Sequence, residues 1–498
     1  MPFVITQSCC SDAGCVSVCP VNCIHPTPEE RGFGTSDILH IDPEACIDCG
    51  ACADACPVDA IFPADRLGER DQIFIEINAA YYRDNADVSS GWTDVVYPVI
   101  PRLPRDLRVA IVGTGPSGGY ALRTVLDRTE ASVTVFDKLP TPGGLVRAGV
   151  APDHPSTKDV MKTFDILYRD PRVSMATNVE IGGDVAAGQI TPDELSRHFD
   201  AVFYAVGASQ SRSLGIAGED LPGTALNVGT GNVALDVARI LVSPPELLAA
   251  TDIADRALEL LRRQDIHEVV LLGRRGPETA AYTAAEFRAL SVIPGVEVIV
   301  HDAAADDLPD LSSPPPHDRR RIVFVFNAAP ESAHGDRALR SVTVNAAGNR
   351  RDVAADLLVR SIGYRSAPID GLPFDHSSGR FPVRDGRLLD ADGVAVPGAY
   401  VVGWAARGST GGIGANKLHA IETVEAFLHD AAAGLPRAAA APDAFADLLA
   451  RRQRKAVGYR GIAAIDRRER ARGEREGRPR VKFTEVGEML SAAGRRRR

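Results

Sequence analysis

After residue 56 the sequence has no cysteine, although nine lie between Cys9 and Cys56. Any cysteine chemistry is therefore confined to the first segment of the chain. No run of about eighteen apolar residues occurs, so we predict no membrane-spanning helix. The start, Met1–Thr6, lacks the basic and apolar regions of a secretory signal, and none is expected. Unpaired thiols suit a reducing compartment, which predicts a cytoplasmic protein.

Positive charge is scarce at the start of the chain and abundant at its end. Residues 1–100 hold 16 Asp and Glu against 4 Lys and Arg, whereas residues 451–498 hold 6 against 17. Such a basic end can bind nucleic acid, but its Arg residues alternate with Glu, as in Arg467-Arg468-Glu469-Arg470. We therefore expect no nucleic-acid partner. A solvated helix, or a surface complementary to an acidic electron-transfer domain, fits better.

The cysteines form two runs, and each run contains a Cys-Pro pair. The second run reads Cys46-x-x-Cys49-x-x-Cys52-x-x-x-Cys56-Pro57, a spacing that wraps an iron–sulfur cluster because thiolates are the ligands that iron prefers there. The first run is looser and contains Cys9, Cys10, Cys15, Cys19 and Cys23. A zinc ribbon is the alternative, but it leaves five cysteines and both Cys-Pro pairs unexplained.

Two-cluster ferredoxins share a rule in which the last cysteine of each run binds the cluster of the other run. Applied here, one 4Fe–4S cluster would be held by Cys46, Cys49, Cys52 and Cys19. The second cluster would be held by Cys56, Cys15 and either Cys9 or Cys10. The irregular first run resembles that of seven-iron ferredoxins, so the second cluster is expected to be 3Fe–4S or 4Fe–4S. Cys23 has no evident cluster.

A first dinucleotide motif begins at residue 108. The apolar run Arg108–Val112 predicts a strand, and Gly113-x-Gly115-x-x-Gly118 predicts a tight turn that faces a pyrophosphate at a helix N-terminus. A second strand ends at Asp137, nineteen residues after Gly118, where a carboxylate can accept ribose hydroxyls. An acid at that position would repel a 2′-phosphate, so this motif predicts FAD or NAD.

A second motif begins at Gly229-Thr230-Gly231, and its second strand, Glu268–Leu272, is followed by Arg274-Arg275 instead of an acid. Planar guanidinium groups match phosphate oxygens. The second motif therefore predicts NADP and leaves FAD for the first. A solvated turn is the plain alternative for the two arginines.

With these motifs the chain resembles the adrenodoxin-reductase type of ferredoxin–NADP reductase, in the bacterial form with a ferredoxin fused in front. Three further stretches carry the resemblance: Gly143–Pro155, Gly273–Pro277 and Gly403–Gly414. The resemblance implies an FAD domain that is split in sequence around an inserted NADP domain. It also implies that NADPH reduces FAD and that single electrons pass through the clusters to an external ferredoxin or a mono-oxygenase cytochrome.

The resemblance also implies roles for individual residues. Contacts with FAD would come from Ser117, Asp137, Leu145, Val179, Trp404, Gly411, Gly412 and Ile413. Contacts with NADP would come from Thr230, Gly231, Asn232, Val233, Arg274, Arg275, Glu286 and Gly411. His154 lies in the loop beside the flavin, where it either transfers a proton or serves only as a packing residue.

The predicted fold class is α/β, with two Rossmann-like dinucleotide-binding domains preceded by a small α+β ferredoxin domain. The expected boundaries are a two-cluster ferredoxin domain at 1–62, a linker at 63–104, the first part of the FAD domain at 105–223, the NADP domain at 224–355, the second part of the FAD domain at 356–450 and a basic C-terminal extension at 451–498.

One departure bears on function. Only five residues, Thr224–Val228, separate Gly223 from Gly229, where relatives have some tens of residues, including the first NADP-domain strand. The predicted enzyme is a ferredoxin–NADP(+) reductase, and the alternative is an electron-transfer adaptor with weak or no NADP activity. A flavin-dependent synthase subunit resembling the small subunit of glutamate synthase is a third, less favoured reading.

Overall fold

The structure is a computed structural model that describes the chain except residues 1, 34–35, 37, 70, 86, 89, 92–102, 104–105, 222–226, 265, 283, 292, 306–310, 312–319, 436, 442 and 495–498. It divides into two compact units. The first unit contains residues 1–150, 154–210 and 365–498, and the second contains residues 151–153 and 211–364. Within the described residues, no helix has the length and apolar character needed to cross a membrane.

The cysteine-rich module opens the first unit. Its elements are β1 (Phe3–Ile5), β2 (Ile24–His25), β3 (His40–Ile41), α1 (Ala51–Asp54), β4 (Ile61–Pro63) and α2 (Ile73–Asp84). Strand β1 pairs antiparallel with β4, and β2 pairs antiparallel with β3. This arrangement leaves the cysteine runs in the loops between short strands.

Helix α2 corrects the prediction of a linker at 63–104. Phe74 and Ile77 are buried on one of its faces. Between them and the strands, the Asn78 side chain accepts from the backbone N–H groups of Ile5 (3.2 Å) and Ile41 (2.9 Å) and donates to Ile5 O (2.8 Å). The helix therefore belongs to the cysteine module. The predicted stiff prolines of the linker, at 98, 101 and 104, lie outside the described residues.

The first dinucleotide domain follows in the same unit. Its elements are β5 (Arg108–Val112), α3 (Pro116–Arg128), β6 (Ser132–Asp137), α4 (Gly144–Ala148), α5 (Val160–Leu167), β7 (Val173–Thr177), α6 (Pro192–His198), β8 (Ala201–Tyr204) and β9 (Gln210–Ser211). Strand β5 lies parallel to both β6 and β8. Because both faces are covered, β5 reads as a continuous apolar run.

The second unit contains the second dinucleotide domain. Its elements, up to a short strand at the boundary, are β10 (Asn227–Val228), α7 (Asn232–Val242), α8 (Pro245–Ala249), α9 (Asp255–Arg263), β11 (Glu268–Leu272), α10 (Ala284–Leu290), β12 (Val296–Asp302), β13 (Arg320–Phe326), β14 (Ala328–His334), β15 (Ser341–Ala346), β16 (Asn349–Ala354), β17 (Val359–Arg360) and β18 (Tyr364–Arg365). A parallel sheet has the order β12-β13-β11-β10-β17, and β14-β15-β16 form a separate antiparallel sheet. Most residues between β12 and β13 lie outside the described part of the chain.

The chain then returns to the first unit. The returning elements are β19 (Val383–Arg384), β20 (Arg387–Leu389), β21 (Ala395–Val401), α11 (Trp404–Arg407) and α12 (Ile413–Ala432). The completed sheet has the order β19-β20-β21-β8-β5-β6-β7, with β21 parallel to β8. The first dinucleotide domain is thus split in sequence, and the second part begins near residue 365 instead of 356 because β17 pairs with β10 in the other unit.

The C-terminal extension is less solvated than its charge predicted. It contains the end of α13 (Ala444–Arg452), α14 (Tyr459–Arg475) and α15 (Val486–Ala493). On α14, the Glu469 side chain is 0% exposed, and it accepts from the guanidinium groups of Arg147 (Nη1, 3.0 Å) and Arg480 (Nη1, 3.1 Å). The helix is therefore held to α4, which contains Arg147, by a buried charge network.

We predict that Glu469→Gln lowers the free energy of unfolding by about 3 kcal/mol, because removing one partner of a buried ion pair leaves the other charges uncompensated. Urea unfolding followed by circular dichroism measures the change. The matched control is Glu474→Gln, an exposed glutamate on the same helix, which should change the free energy by less than about 0.5 kcal/mol. Equal effects of the two substitutions would contradict the network.

Candidate dinucleotide and metal sites

The first glycine turn leaves its middle glycine open to a ligand. Gly113 has φ 110°, and a Cβ there would lie 2.3 Å from the Ala205 carbonyl oxygen. A Cβ at Gly118 would lie 1.9 Å from the Gly113 carbonyl oxygen, whereas a Cβ at Gly115 would meet no atom within 4 Å. The open glycine stands at the N-cap of α3, where free backbone N–H groups can bind a pyrophosphate.

Asp137 lies at the end of β6 and braces this turn. Its Oδ2 accepts from the Thr114 backbone N–H (3.0 Å) and from the Thr114 hydroxyl, and its Oδ1 accepts from Leu139 N (2.9 Å). Burial raises the pKa of Asp137, while the hydrogen bonds from Thr114 and Leu139 act in the opposite direction. The acid predicted to bind ribose therefore also positions the glycine turn.

The start of α4, which carries Leu145, packs onto the same turn. Gly143 N donates to the Thr114 hydroxyl (3.1 Å), and a Cβ at Gly144 would lie 3.1 Å from Gly115 Cα. Leu145 is 45% exposed, unusual for a large apolar side chain beside a buried turn. Val179, in contrast, is buried, and its N–H donates to Asp137 O (2.9 Å).

The start of α12 joins the second part of the domain to the glycine turn. Asn416 accepts from the Ser117 hydroxyl (3.0 Å) and from Arg407 Nη2 (3.0 Å), and its amide donates to Gly412 O (2.9 Å). The Trp404 indole N–H is shared between Thr410 O (3.1 Å) and Gly411 O (3.2 Å). The loop 408–412 is thereby held beside α3, next to Ile413, the first residue of α12.

His154 lies half-buried in the loop between α4 and α5. Another histidine, His419 of α12, accepts from Gly403 N at its Nδ1 (3.1 Å), and burial lowers its pKa to about 4. His419 is therefore a neutral acceptor that supports the loop.

The second glycine turn repeats the geometry of the first. Gly229 has φ 132°, and a Cβ there would lie 2.4 Å from the Ser361 carbonyl oxygen. Gly231 is the N-cap of α7, and a Cβ there would meet no atom within 4 Å. Thr230, Asn232 and Val233 lie at the same helix start, and Val233 is 49% exposed. This helix end can therefore receive a second pyrophosphate.

The shortened joint before Gly229 still supplies a strand. Asn227 and Val228 form β10, which pairs parallel with β11 on one side and with β17 on the other. Within the described residues, β10 has two residues. The strand nevertheless occupies its place in the sheet. Residues 224–226 of the joint lie outside the described part of the chain.

Arg274 and Arg275 follow β11 and are both exposed. Among the described residues, neither guanidinium group forms an ion pair with a carboxylate. Gly273 must be small, because a Cβ there would lie 2.8 Å from the Phe326 ring. Two unpaired cations next to a helix N-terminus are available for a phosphate.

Glu286, predicted to contact NADP, lies in a charge network inside the second unit. Arg239 is 8% exposed and contacts Asp153 (2.7 Å), Asp236 (2.6 Å) and Glu286 (3.7 Å). The three carboxylates raise the pKa of Arg239 although burial opposes them. Sequence analysis missed Arg239 because a lone arginine within an amphipathic helix looks like an ordinary surface residue.

Five cysteines surround one space in the module, and we call them the outer cysteine group. They are Cys19, Cys23, Cys46, Cys49 and Cys52. The space has a volume of about 280 Å³, part of it open to solvent, and Phe3, Ile24 and Ile41 line its apolar side. Cys49 is exposed and Cys52 is buried. This set contains the four predicted ligands of one 4Fe–4S cluster.

Cys23 belongs to the outer group as a hydrogen-bond donor, a position that sequence analysis left unexplained. Its sulfur lies 3.4 Å from Cys19 Sγ. Hydrogen bonds from Cys23 lower the pKa of Cys19 and of Cys46 to about 6, and those same bonds raise the pKa of Cys23. Sulfur atoms grouped in this way form a donor set that suits iron.

The remaining cysteines form the inner cysteine group: Cys9, Cys10, Cys15 and Cys56. Burial raises the pKa of Cys9 to about 11 and raises that of Cys15. Iron binding would have to displace these protons, as is general for thiolate ligands. Cys9 Sγ accepts from Ser11 N (3.4 Å) and Cys56 Sγ from Ala60 N (3.3 Å).

A buried hydroxyl lies close to the inner group. Tyr120, on α3, is 2% exposed, and its hydroxyl has no hydrogen-bond partner within the described residues. Burial raises the pKa of Tyr120, and the nearby charges of Cys10 and Asp12 raise it further. Cluster sulfur would give this hydroxyl a partner, so the surroundings of the inner group fit an iron–sulfur cluster.

Comparisons with known proteins agree with this geometry. The 4Fe-4S binding domain family matches residues 39–62. A ferredoxin/ferredoxin–NADP reductase of Mycobacterium tuberculosis is 44% identical over 553 residues, covering 99% of this chain and 95% of the relative. The human mitochondrial NADPH:adrenodoxin oxidoreductase is 33% identical over 461 residues, covering 78% of this chain and 92% of the relative.

Among solved structures, Mycobacterium tuberculosis FprA in complex with NADPH matches with a TM-score of 0.70 and 38% identity, covering 78% of this chain and 99% of that chain. The part left unmatched by FprA is similar in size to the cysteine module with the segment that follows it. From its fold, its two glycine turns and these relatives, the chain belongs to the family of ferredoxin/ferredoxin–NADP reductases of the adrenodoxin-reductase type, with an N-terminal ferredoxin domain.

Proposed function

We propose that the protein is an NADPH–ferredoxin oxidoreductase with a built-in electron-transfer module. The observation that carries the proposal is the contrast between two glycine turns of similar geometry, one followed by Asp137 and the other by Arg274-Arg275. An acid favours a cofactor with an unphosphorylated ribose, and paired guanidinium groups favour a 2′-phosphate. FAD in the first domain and NADP in the second satisfy both preferences.

Bound FAD supplies the chemistry that links a hydride to single electrons, and iron–sulfur clusters carry those electrons one at a time. The chain's own residues bind and orient these groups. FAD would be held by Gly113, Gly115, Ser117, Gly118, Asp137, Leu145, Val179, Trp404, Gly411, Gly412 and Ile413. NADP would be held by Thr230, Gly231, Asn232, Val233, Arg274, Arg275 and Glu286.

For the clusters we propose Cys46, Cys49, Cys52 and Cys19 as one ligand set and Cys56, Cys15 and Cys9 as the other. The sulfur of Cys9 accepts from Ser11 N at 3.4 Å, and Cys10, its chain neighbour, is the alternative third ligand. With three ligands, the inner group suits a 3Fe–4S cluster. His154 is proposed to hold a proton near the flavin. Thiolate clusters favour a reducing compartment, so a cytoplasmic location is proposed.

The adaptor alternative rests on the shortened joint. The 553 aligned positions exceed the 498 residues of this chain, so the relative carries residues that this chain lacks. Anaerobic stopped-flow mixing with NADPH separates the two functions, because an oxidoreductase bleaches its flavin absorbance. Flavin that is present but not bleached by NADPH would favour the adaptor. We expect an external ferredoxin or a mono-oxygenase cytochrome as the final acceptor.

We predict that Arg275→Ala and Arg274→Ala each raise the KM for NADPH about tenfold to a hundredfold, because each removes charged hydrogen bonds to a phosphate. The KM for NADH should not change, since NADH lacks the 2′-phosphate. Steady-state reduction of a small dye measures both values. Arg263→Ala, at the exposed end of α9, is the control and should change neither KM. An equal loss with NADPH and NADH would argue against phosphate binding.

A second prediction concerns two cysteines of the outer group. Cys49→Ser should remove one cluster, seen as lower iron and acid-labile sulfide content, and should abolish reduction of a ferredoxin acceptor. NADPH should still reduce a small dye directly from the flavin domain. Cys23→Ala, at the same space, should retain the iron content, because Cys23 serves as a hydrogen-bond donor and is not a ligand. Loss of dye reduction in Cys49→Ser would contradict a modular enzyme.

A further inference from the structure

A short backbone junction is one of the contacts between the cysteine module and the first dinucleotide domain. Gly414 N, in the first turn of α12, donates to the Cys10 carbonyl oxygen (2.7 Å). The two backbones are so close that a Cβ at Gly414 would lie 1.3 Å from the Ser11 carbonyl oxygen and 2.8 Å from Asp12 N. Only glycine permits this approach, because any side chain would push the module away.

An ion pair one turn further along α12 reinforces the junction. Lys417 Nζ contacts Asp12 Oδ2 at 3.1 Å, and the Asp12 side chain is only 8% exposed. Asp12 also caps its own loop, since its Oδ1 accepts from Gly14 N (3.0 Å). The acidic module therefore forms an ion pair with a lysine of α12. The excess of Lys and Arg at the C-terminus did not suggest this partner.

The same helix end is tied to the first glycine turn. Asn416, two residues after Gly414, accepts from the Ser117 hydroxyl of α3 (3.0 Å). Ile413 packs, together with Tyr120, in the apolar cluster that contains Cys10 and that Cys9 and Cys56 contact. One end of α12 therefore touches both the proposed FAD loop and the inner cysteine group.

Of the nine cysteines, all within the described residues, Cys49 is the exposed one; it belongs to the outer group, whose Cys19, Cys23 and Cys52 are buried. Its neighbours Ile47 and Asp48 are exposed as well, whereas Cys10 and Cys15 are buried. The module therefore has a buried end at the α12 junction and a solvent-facing end at the second cysteine run.

We propose that the cluster held by the inner group and the cluster held by the outer group act in series. The inner cluster would receive electrons at the Gly414–Cys10 junction, and the outer cluster would pass them to the external acceptor. This inference rests on the proposed function. The overall step balances: NADPH and two one-electron acceptors give NADP⁺, one proton and two reduced acceptors. The junction fixes the gap between the flavin loop and the inner group.

The first test is Gly414→Ala, which should open the junction without weakening α12, because alanine is favoured in a helix. In anaerobic stopped-flow experiments NADPH should bleach the flavin at the wild-type rate, while cluster reduction should slow by about tenfold or more, since small misplacements have large kinetic effects. Iron content and the dithionite-reduced electron paramagnetic resonance spectrum should equal those of the wild type.

The control is Gly487→Ala, a helical glycine of α15 where a Cβ would meet no atom within 4 Å. This variant should match the wild type in both phases. Cluster reduction at the wild-type rate in Gly414→Ala would overturn the junction as the electron entry. If NADPH fails to bleach the flavin of the wild type, the proposed function itself is wrong. This outcome differs from a wrong junction, which shows only in the rate of cluster reduction in Gly414→Ala.

The order of the groups has its own test, read by electron paramagnetic resonance. In Cys49→Ser, NADPH should still reduce the inner group. In Cys15→Ser, NADPH should leave the cluster of the outer group oxidised over the time in which it becomes reduced in the wild type, although dithionite should reduce it. Reduction of the outer group by NADPH in Cys15→Ser at the wild-type rate would overturn the series order.

Discussion

Close approach of backbone to backbone, possible only at glycine, is the constraint on which the sites depend. A Cβ at Gly113, Gly229 or Gly414 would lie within 2.5 Å of a carbonyl oxygen of another segment. At the first two positions this approach lets a strand turn directly into a helix whose N-terminus can bind phosphate. At the third it lets the cysteine module reach the start of α12. The same steric freedom therefore creates the cofactor sites and joins them to the cysteines.

Charge then distinguishes sites that share this backbone geometry. Asp137 and the pair Arg274-Arg275 stand at equivalent positions after the second strand of each domain. Elsewhere, buried charges form ion pairs inside the protein. Glu469 binds Arg147, two residues after Leu145 in α4, and Arg239 contacts three carboxylates in the second unit. Arg274 and Arg275 are exposed and form no ion pair with a carboxylate among the described residues, so they mark the position where a ligand phosphate is expected. The buried arginines are already neutralised by carboxylates.

Several features could be predicted from local spacing alone. The two glycine turns and the division of cysteines into two runs depend on short motifs, whereas the split domain was expected only from the family resemblance. The linker prediction failed at α2 because the Asn78 contacts that hold this helix to β1 and β3 join residues far apart in sequence. The C-terminal extension was misjudged for a similar reason, since net charge does not reveal that Glu469 is buried against Arg147.

The sequence by itself determined the chemistry: thiolates at cluster spacing, an acid and two arginines after paired glycine turns, and no cysteine elsewhere. These follow from residue type and local spacing, which the chain carries without folding. Only the tertiary structure decided that Cys23 lies among the ligands, that β10 keeps its place in spite of the short joint, and that Cys10 lies against Gly414. These facts depend on segments up to 400 residues apart meeting in space, and no local pattern encodes such distances.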